Sequence, residues 1–227
     1  MRFTYRTDLP LIYKIRIFNN YKVNLEKLHK QVKEKLENDV AHDFEHVHRV
    51  LKNAKMIAKK EKVDMQMVTA AVLLHDIISY PKSDPRSNNS SIESAEISKS
   101  ILKNYNFTAN EIQIISEAIR DHSASRGIVP QTNVGKILQD ADRLDALGAI
   151  GIARTFSVGG SEKRPFYNTN DPFCEKHLPD DKSWTLDHFY KKLLLLEKTM
   201  NTKTGKIEAR KRVRIMKKFL QELKKEI

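Results

Sequence analysis

The chain has 227 residues with 41 Lys+Arg against 29 Asp+Glu, a formal charge of +12. Its single cysteine, Cys174, excludes an internal disulfide, so a reducing, cytoplasmic setting is expected. The longest uninterrupted apolar run, Ala70–Leu74, falls far short of the roughly 20 residues that span a bilayer, so no membrane partner is expected. Only seven glycines occur, and neither a P-loop nor a G-x-G-x-x-G fingerprint is present, which excludes the common glycine-based phosphate cradles.

Residues 9–18 are apolar, but Lys14 and Arg16 interrupt them and no small-residue cleavage site follows. Residues 1–22 therefore read as an N-terminal extension, and residues 23–227 as one domain. Leu25, Leu28, Val32 and Leu36 step by three and four, as do His46, Val50, Ala54 and Ile57, predicting two amphipathic helices, the second placed to be capped by Asp43. Met67–Ile78 is apolar nearly all round until His75-Asp76, the pattern of a helix in the centre of a bundle. Pro81 to Ser91 is a polar loop with two prolines. Further helices are predicted over Ile92–Tyr105, Ala109–His122 and, as one longer helix, about Thr132–Ser157. Gly159–Lys182, about 24 residues with three prolines, has little periodicity; such long loops are usually functional lids or disordered. A helical stripe resumes over Leu186–Glu197, and Val213, Met216, Leu220, Leu223 and Ile227 close the chain with a heptad-like one. The expected fold is all-α, a single-domain helical bundle.

Four residues stand out: His46, His75, Asp76 and Asp142. His46 shares the inward stripe of its helix, and Asp142 lies among the core-like Ile137, Ala141 and Leu144. A carboxylate enters a core only with a partner, because burying an unpaired charge costs several kcal/mol at least. For Asp142 that partner is Arg143, Arg120 or a bound cation. Two imidazoles and two carboxylates on three helices suit one octahedral Mn, Mg, Co, Ni or Fe ion with open water positions, whereas zinc fits less well because no thiolate contributes.

The His75-Asp76 doublet directly after Val68-Thr-Ala-Ala-Val-Leu-Leu74 resembles the HD-domain superfamily of metal-dependent phosphohydrolases, whose ligands are His, His-Asp and Asp. His46-Val-His-Arg-Val50 matches the first-ligand segment of that superfamily, and Gln139-Asp-Ala-Asp-Arg-Leu-Asp-Ala-Leu-Gly148 the last, with Asp142 as the ligand. Leu74 to Arg86, Ser90-Ser91, Asp121-His-Ser123, Ile150 to Phe156 and Asp187-His-Phe-Tyr-Lys-Lys-Leu193 look like counterparts in a bacterial subfamily of HD phosphohydrolases. The likeness spans roughly residues 25 to 225. It implies a bundle of the HD-domain type with the metal among its central helices. A second doublet, His42-Asp43, precedes a helix and is assigned to capping and support.

The resemblance implies a metal-bound hydroxide attacking phosphorus. Asp76, His122 and Asp145 are the candidate catalytic residues. His122 ends the Ile112, Ile115, Ile119 stripe and has three open roles: substrate donor (favoured), general acid, or ligand to a second metal. Asp145 either orients a water or a ligand, or pairs with Arg143 or Arg154. Lys82 and Arg86, near the doublet, and Lys163 and Arg164, in the long loop, are candidate substrate cations, together with His122. Cys174 reads as inert.

Ser79-Tyr80 stand where alarmone hydrolases carry Glu-Asp, and the Gly-Tyr-Pro motif of cyclic-di-nucleotide diesterases is absent. Small nucleotides are then the leading substrates, with (d)NTP cleavage to NMP plus pyrophosphate preferred and a nucleotidase-type phosphomonoesterase as the alternative. A different alternative is a non-catalytic nucleic-acid-binding protein. Lys206–Ile227 has nine Lys/Arg against three Glu, half the net excess of the chain. The same segment carries the heptad-like stripe, so its charges can be the wet side of a packed helix.

Overall fold

The computed structural model describes residues 23–37, 44–80, 84–123 and 126–227, and among them the chain forms nine α-helices and no strand. They are α1 (Leu25–Glu37), α2 (Phe44–Glu61), α3 (Met65–Leu74), α4 (Ser90–Lys103), α5 (Ala109–Asp121), α6 (Asn133–Asp145), α7 (Gly148–Ser161), α8 (Asp187–Lys191) and α9 (Lys203–Glu226). Residues 1–22, the His42-Asp43 doublet and Lys82 lie outside the described residues.

The hub is α3. Every residue from Val68 to Leu74 is buried, and the helix packs against α1, α2, α4, α5 and α6. This follows from its composition: a helix apolar on all sides loses least free energy when neighbours cover every face. Its start is set by Asp64, whose carboxylate accepts the Gln66 and Met67 N–H groups. Thr108 and Glu111 form a reciprocal capping box at the start of α5, and Thr132 and Thr202 cap α6 and α9.

Three sequence expectations need correction. The helix expected over 132–157 is two helices. Gly148 adopts φ +73°, a left-handed conformation that L side chains resist, and α7 starts there in a new direction. The freed Arg143 carbonyl accepts the Ala146 N–H, and that of Leu144 accepts the Leu147 N–H and the Arg212 guanidinium of α9. The stripe over 186–197 is not one helix either, because Lys192 at φ −134° separates α8 from a 3₁₀ turn over Leu193–Thr199. The long loop, lastly, is fastened down. Thr185 and Leu186 donate to the Pro165 and Phe166 carbonyls at 2.9 Å, and the Phe166 ring stacks on Phe156 of α7.

The terminal helix α9 buries Ala209, Val213, Met216 and Leu220. Several of its cations are engaged, Arg210 with Glu197, Arg212 with Glu208 and Lys224 with Glu175. No described helix is long and apolar enough to cross a membrane.

Candidate metal centre

Two helix ends build the floor of the site in the same way. His75 and His122 follow the last residues of α3 and α5, and each ring donates its Nδ1–H back to a carbonyl of its own helix, Val72 at 2.7 Å and Ile119 at 2.6 Å. Those carbonyls would otherwise lack partners, so the imidazole closes the helix and the helix sets the tautomer. Nε2 of each ring is left facing inward. His46, on α2, donates its Nδ1–H to Asp145 at 2.8 Å and presents its own Nε2 to the same place.

The carboxylates of Asp76 and Asp142 stand among these nitrogens. His46 Nε2 is 3.4 Å from Asp142 Oδ1 and 4.0 Å from Asp76 Oδ2, His75 Nε2 is 3.4 Å from Asp76 Oδ2, and His122 Nε2 is 3.5 Å from Asp76 Oδ1. The His75 ring is 5.0 Å from that of His122 and 5.5 Å from that of His46. The imidazoles are the deep side, at 0, 6 and 15% exposure for His75, His122 and His46, while Asp76 at 35% and Asp142 at 28% form the open rim. The side of the centre open to solvent is therefore the carboxylate rim.

This arrangement fits a divalent cation. His75 Nε2 is buried with no hydrogen-bond partner, and with Nδ1–H committed to Val72 it offers a free lone pair to a hydrogen-bond donor or a metal ion. Charge tells the same story. Burial favours the neutral forms, yet hydrogen bonds to Asp142 and Asp145 raise the His46 pKa to about 10, and Asp76 raises that of His122. The Asp76 and Asp142 carboxyls, despite burial, are held below the usual range by the surrounding imidazoles, whereas burial lowers His75. The cluster is thus strongly attractive to positive charge. Nitrogen and oxygen atoms of His46, His75 and Asp142, and of His75, Asp76 and His122, lie within 4.8 Å of one another, a spacing one ion can bridge.

Asp145 lies behind the site. It is 2% exposed and accepts from His46, from Arg49 Nε at 2.7 Å and from Arg154 Nη1 at 2.7 Å. Burial raises its pKa, but His46 and Arg49 outweigh this and bring it to about 2. The ion pair with Arg154 and the orientation of a ligand-type side chain, which the sequence posed as alternatives, therefore coexist. Arg49 had no assigned role in the sequence; its place in the His-Val-His-Arg-Val run was the only signal.

Among the described residues, the loop cations Arg86, Lys163 and Arg164 pair with neighbouring acids or stand exposed. Arg86 bonds Asp84 at 2.7 Å and lies over the Tyr80 ring at 4.3 Å, with its side chain 65% exposed. Lys163 is exposed, and Arg164 pairs with Glu162. Arg164 does line a cavity of about 340 Å³ between α7, the long segment and α8, where Arg154, Arg164, Lys182 and Lys192 face Glu162 and Asp181. Arg154 belongs both to that cavity and to the Asp145 cluster.

Comparison with known proteins agrees with this geometry. The HD domain family model matches residues 43–147. An uncharacterised protein of Bacillus subtilis, YpgQ, is 34% identical over 190 residues, covering 82% of this chain and 84% of its own length. Among solved structures, an HD-superfamily hydrolase from Bacillus thuringiensis superposes with a TM-score of 0.71 at 34% identity, over 89% of this chain and 95% of that one. The crystal structure of Bacillus subtilis YpgQ in complex with ADP gives 0.69 at 30% identity, over 89% and 94%.

Proposed function

The chain belongs to the HD domain family, and from that premise we propose that it is a metal-dependent phosphohydrolase of nucleotides, cleaving (d)NTPs to NMP and pyrophosphate. The observation that carries the proposal is the convergence of three imidazole Nε2 atoms on two carboxylates, with His75 Nε2 buried and unpartnered. The ADP complex of the YpgQ relative supports a nucleotide as the ligand class.

His46, His75, Asp76 and Asp142 would hold the metal. A divalent ion there supplies Lewis-acid polarisation of a phosphoryl oxygen and acidifies water toward neutral pKa. Asp145 is a positioning residue: by accepting the Nδ1–H of His46 it fixes the ring and raises the basicity of Nε2. His122 keeps a proton at Nε2, favoured by Asp76, and donates it as a hydrogen bond to a phosphoryl oxygen. Arg164 on the cavity wall, its neighbour Lys163, and Arg86 and Lys82 after the doublet are the proposed partners of the remaining phosphate charge.

Phosphate detection with and without added pyrophosphatase, across NTPs, dNTPs and NMPs with Mn²⁺, tests the reaction. The expected result is pyrophosphate release that is lost in His75→Ala and Asp76→Ala. Phosphate release from NMPs alone would replace the proposal by a phosphomonoesterase. Absence of turnover with all of them, beside salt-sensitive binding to nucleic acid that survives both substitutions, would favour the basic helix α9 as a nucleic-acid surface.

A further inference from the structure

Outside the centre described above, one other group of described residues offers metal-type donors close together: Cys174, His177 and Asp187, on the long segment and the first residue of α8. Cys174 Sγ is 3.8 Å from His177 Nε2, and His177 Nε2 is 2.8 Å from Asp187 Oδ2. The opposite side of the imidazole is committed. His177 donates its Nδ1–H to Asp171 Oδ2 at 2.7 Å, and Asp171 is itself held by the N–H groups of Glu175, Lys176 and His177. This repeats the relation of His46 to Asp145, a carboxylate orienting a ring so that its far nitrogen faces a donor cluster.

Asp187 makes the independent observation. Its side chain is 0% exposed, yet Oδ1 is buried with no hydrogen-bond partner, while Oδ2 takes both the His177 ring and the Asp180 N–H. A carboxylate oxygen sequestered without a donor is costly, and a cation relieves that cost directly. The distances suit one. In a tetrahedral zinc site, sulfur and imidazole nitrogen stand about 3.6 Å apart and nitrogen and carboxylate oxygen about 3.4 Å. The Cys174–His177 separation is already close to its value, and the His177–Asp187 hydrogen bond needs only to open as its proton leaves.

We propose that Cys174, His177 and Asp187 form a second metal site, selective for a thiophilic divalent ion of the zinc class, which staples the 162–186 segment to α8. Binding replaces the thiol proton and the His177 Nε2 proton by the ion, so two protons are released for each ion bound. The thiol is otherwise kept protonated, pushed up to about 12 by burial and by the Asp187 charge. The donor set differs from that of the HD centre, which has no sulfur, and the two sites therefore select different metals. The staple matters to the rest of the molecule because Arg164, Asp181 and Lys182 of the same segment wall the cavity next to Arg154.

Titration of the full chain, stripped of metal, with Co²⁺ tests this, because a thiolate-to-cobalt charge-transfer band arises only at a sulfur-containing site. The expected result is a band in the wild type and in Asp142→Ala, its absence in Cys174→Ala, and its disappearance on adding Zn²⁺. His177→Gln and Asp187→Asn, checked for helix content by circular dichroism, should lose the band as well. No band in folded wild type at saturating Co²⁺ overturns the proposal. A band that persists in both His177→Gln and Asp187→Asn also overturns it, by reducing Cys174 to an adventitious thiol ligand. Neither outcome bears on phosphohydrolysis, which is read separately.

Discussion

Replacing Asp145 by Asn keeps the shape of the side chain and removes a charge that three groups share. His46 Nδ1 at 2.8 Å, Arg49 Nε at 2.7 Å and Arg154 Nη1 at 2.7 Å all donate to the carboxylate. An Asn side chain has one oxygen to offer them, and its amide N–H groups face donors. Loss of a carboxylate behind a ligating imidazole costs about 10- to 100-fold in metal affinity, or about 1.4–2.8 kcal/mol. Arg49 and Arg154, at 28 and 50% exposure, recover much of their solvation, so metal-free stability should fall by only about 1–3 kcal/mol. The assay is calorimetric titration of EDTA-stripped wild type and Asp145→Asn with Mn²⁺, alongside urea unfolding without metal. A folded Asp145→Asn that binds Mn²⁺ as tightly as wild type would refute the positioning role.

Other outcomes can be stated in advance. Mn²⁺ at a hundredfold excess over its Kd should raise Tm by about 5–11 °C over EDTA-treated protein, an increment that Asp142→Ala abolishes in differential scanning fluorimetry. His122→Ala should lower kcat about a hundred- to thousandfold in steady-state assays while Mn²⁺ affinity changes little; collapse of metal affinity would instead make His122 a ligand. A Cβ on Gly205 would stand 2.4 Å from Asp140 Oδ2 and 2.8 Å from Thr202 Oγ1, so Gly205→Ala should lose about 1–3 kcal/mol in urea unfolding despite its better helix propensity. Hydrogen bonds from the Thr204 hydroxyl and, at 2.9 Å, from the Thr204 N–H hold the Glu61 pKa below the ordinary 4.5. That contribution is present above pH 4.5 and is lost as pH falls through the lower folded value, so Glu61→Gln should lower stability by a constant amount above pH 6, with the difference from wild type shrinking as pH falls below 4.5.

Much of the centre was legible in the chain because hydropathy reports burial directly. An apolar run that ends in His75-Asp76 carries the doublet to the end of a buried helix, His75 inside and Asp76 at its rim, and the step from His46 to Val50 and Ala54 turns that imidazole toward the same place. The stripe Ile112, Ile115, Ile119 brought His122 to the same region for the same reason. Periodicity says which face is covered, however, and not what covers it. Asp142 and Asp145 sit three apart on one helix and look alike in sequence; only the packing of α2 on α6 and the return of α7 at Gly148 make one a rim carboxylate and the other a buried anchor for His46, Arg49 and Arg154. The proximity of Cys174, His177 and Asp187 was not legible, because they lie three and thirteen residues apart along an aperiodic segment. The sequence by itself determined an all-α bundle and the side chains that reach its centre, since local propensity and burial are written in spacing. Which of those side chains touch, and through which atoms, was decided only by tertiary structure, because hydrogen bonds and ion pairs are short-ranged and depend on where separate helices meet.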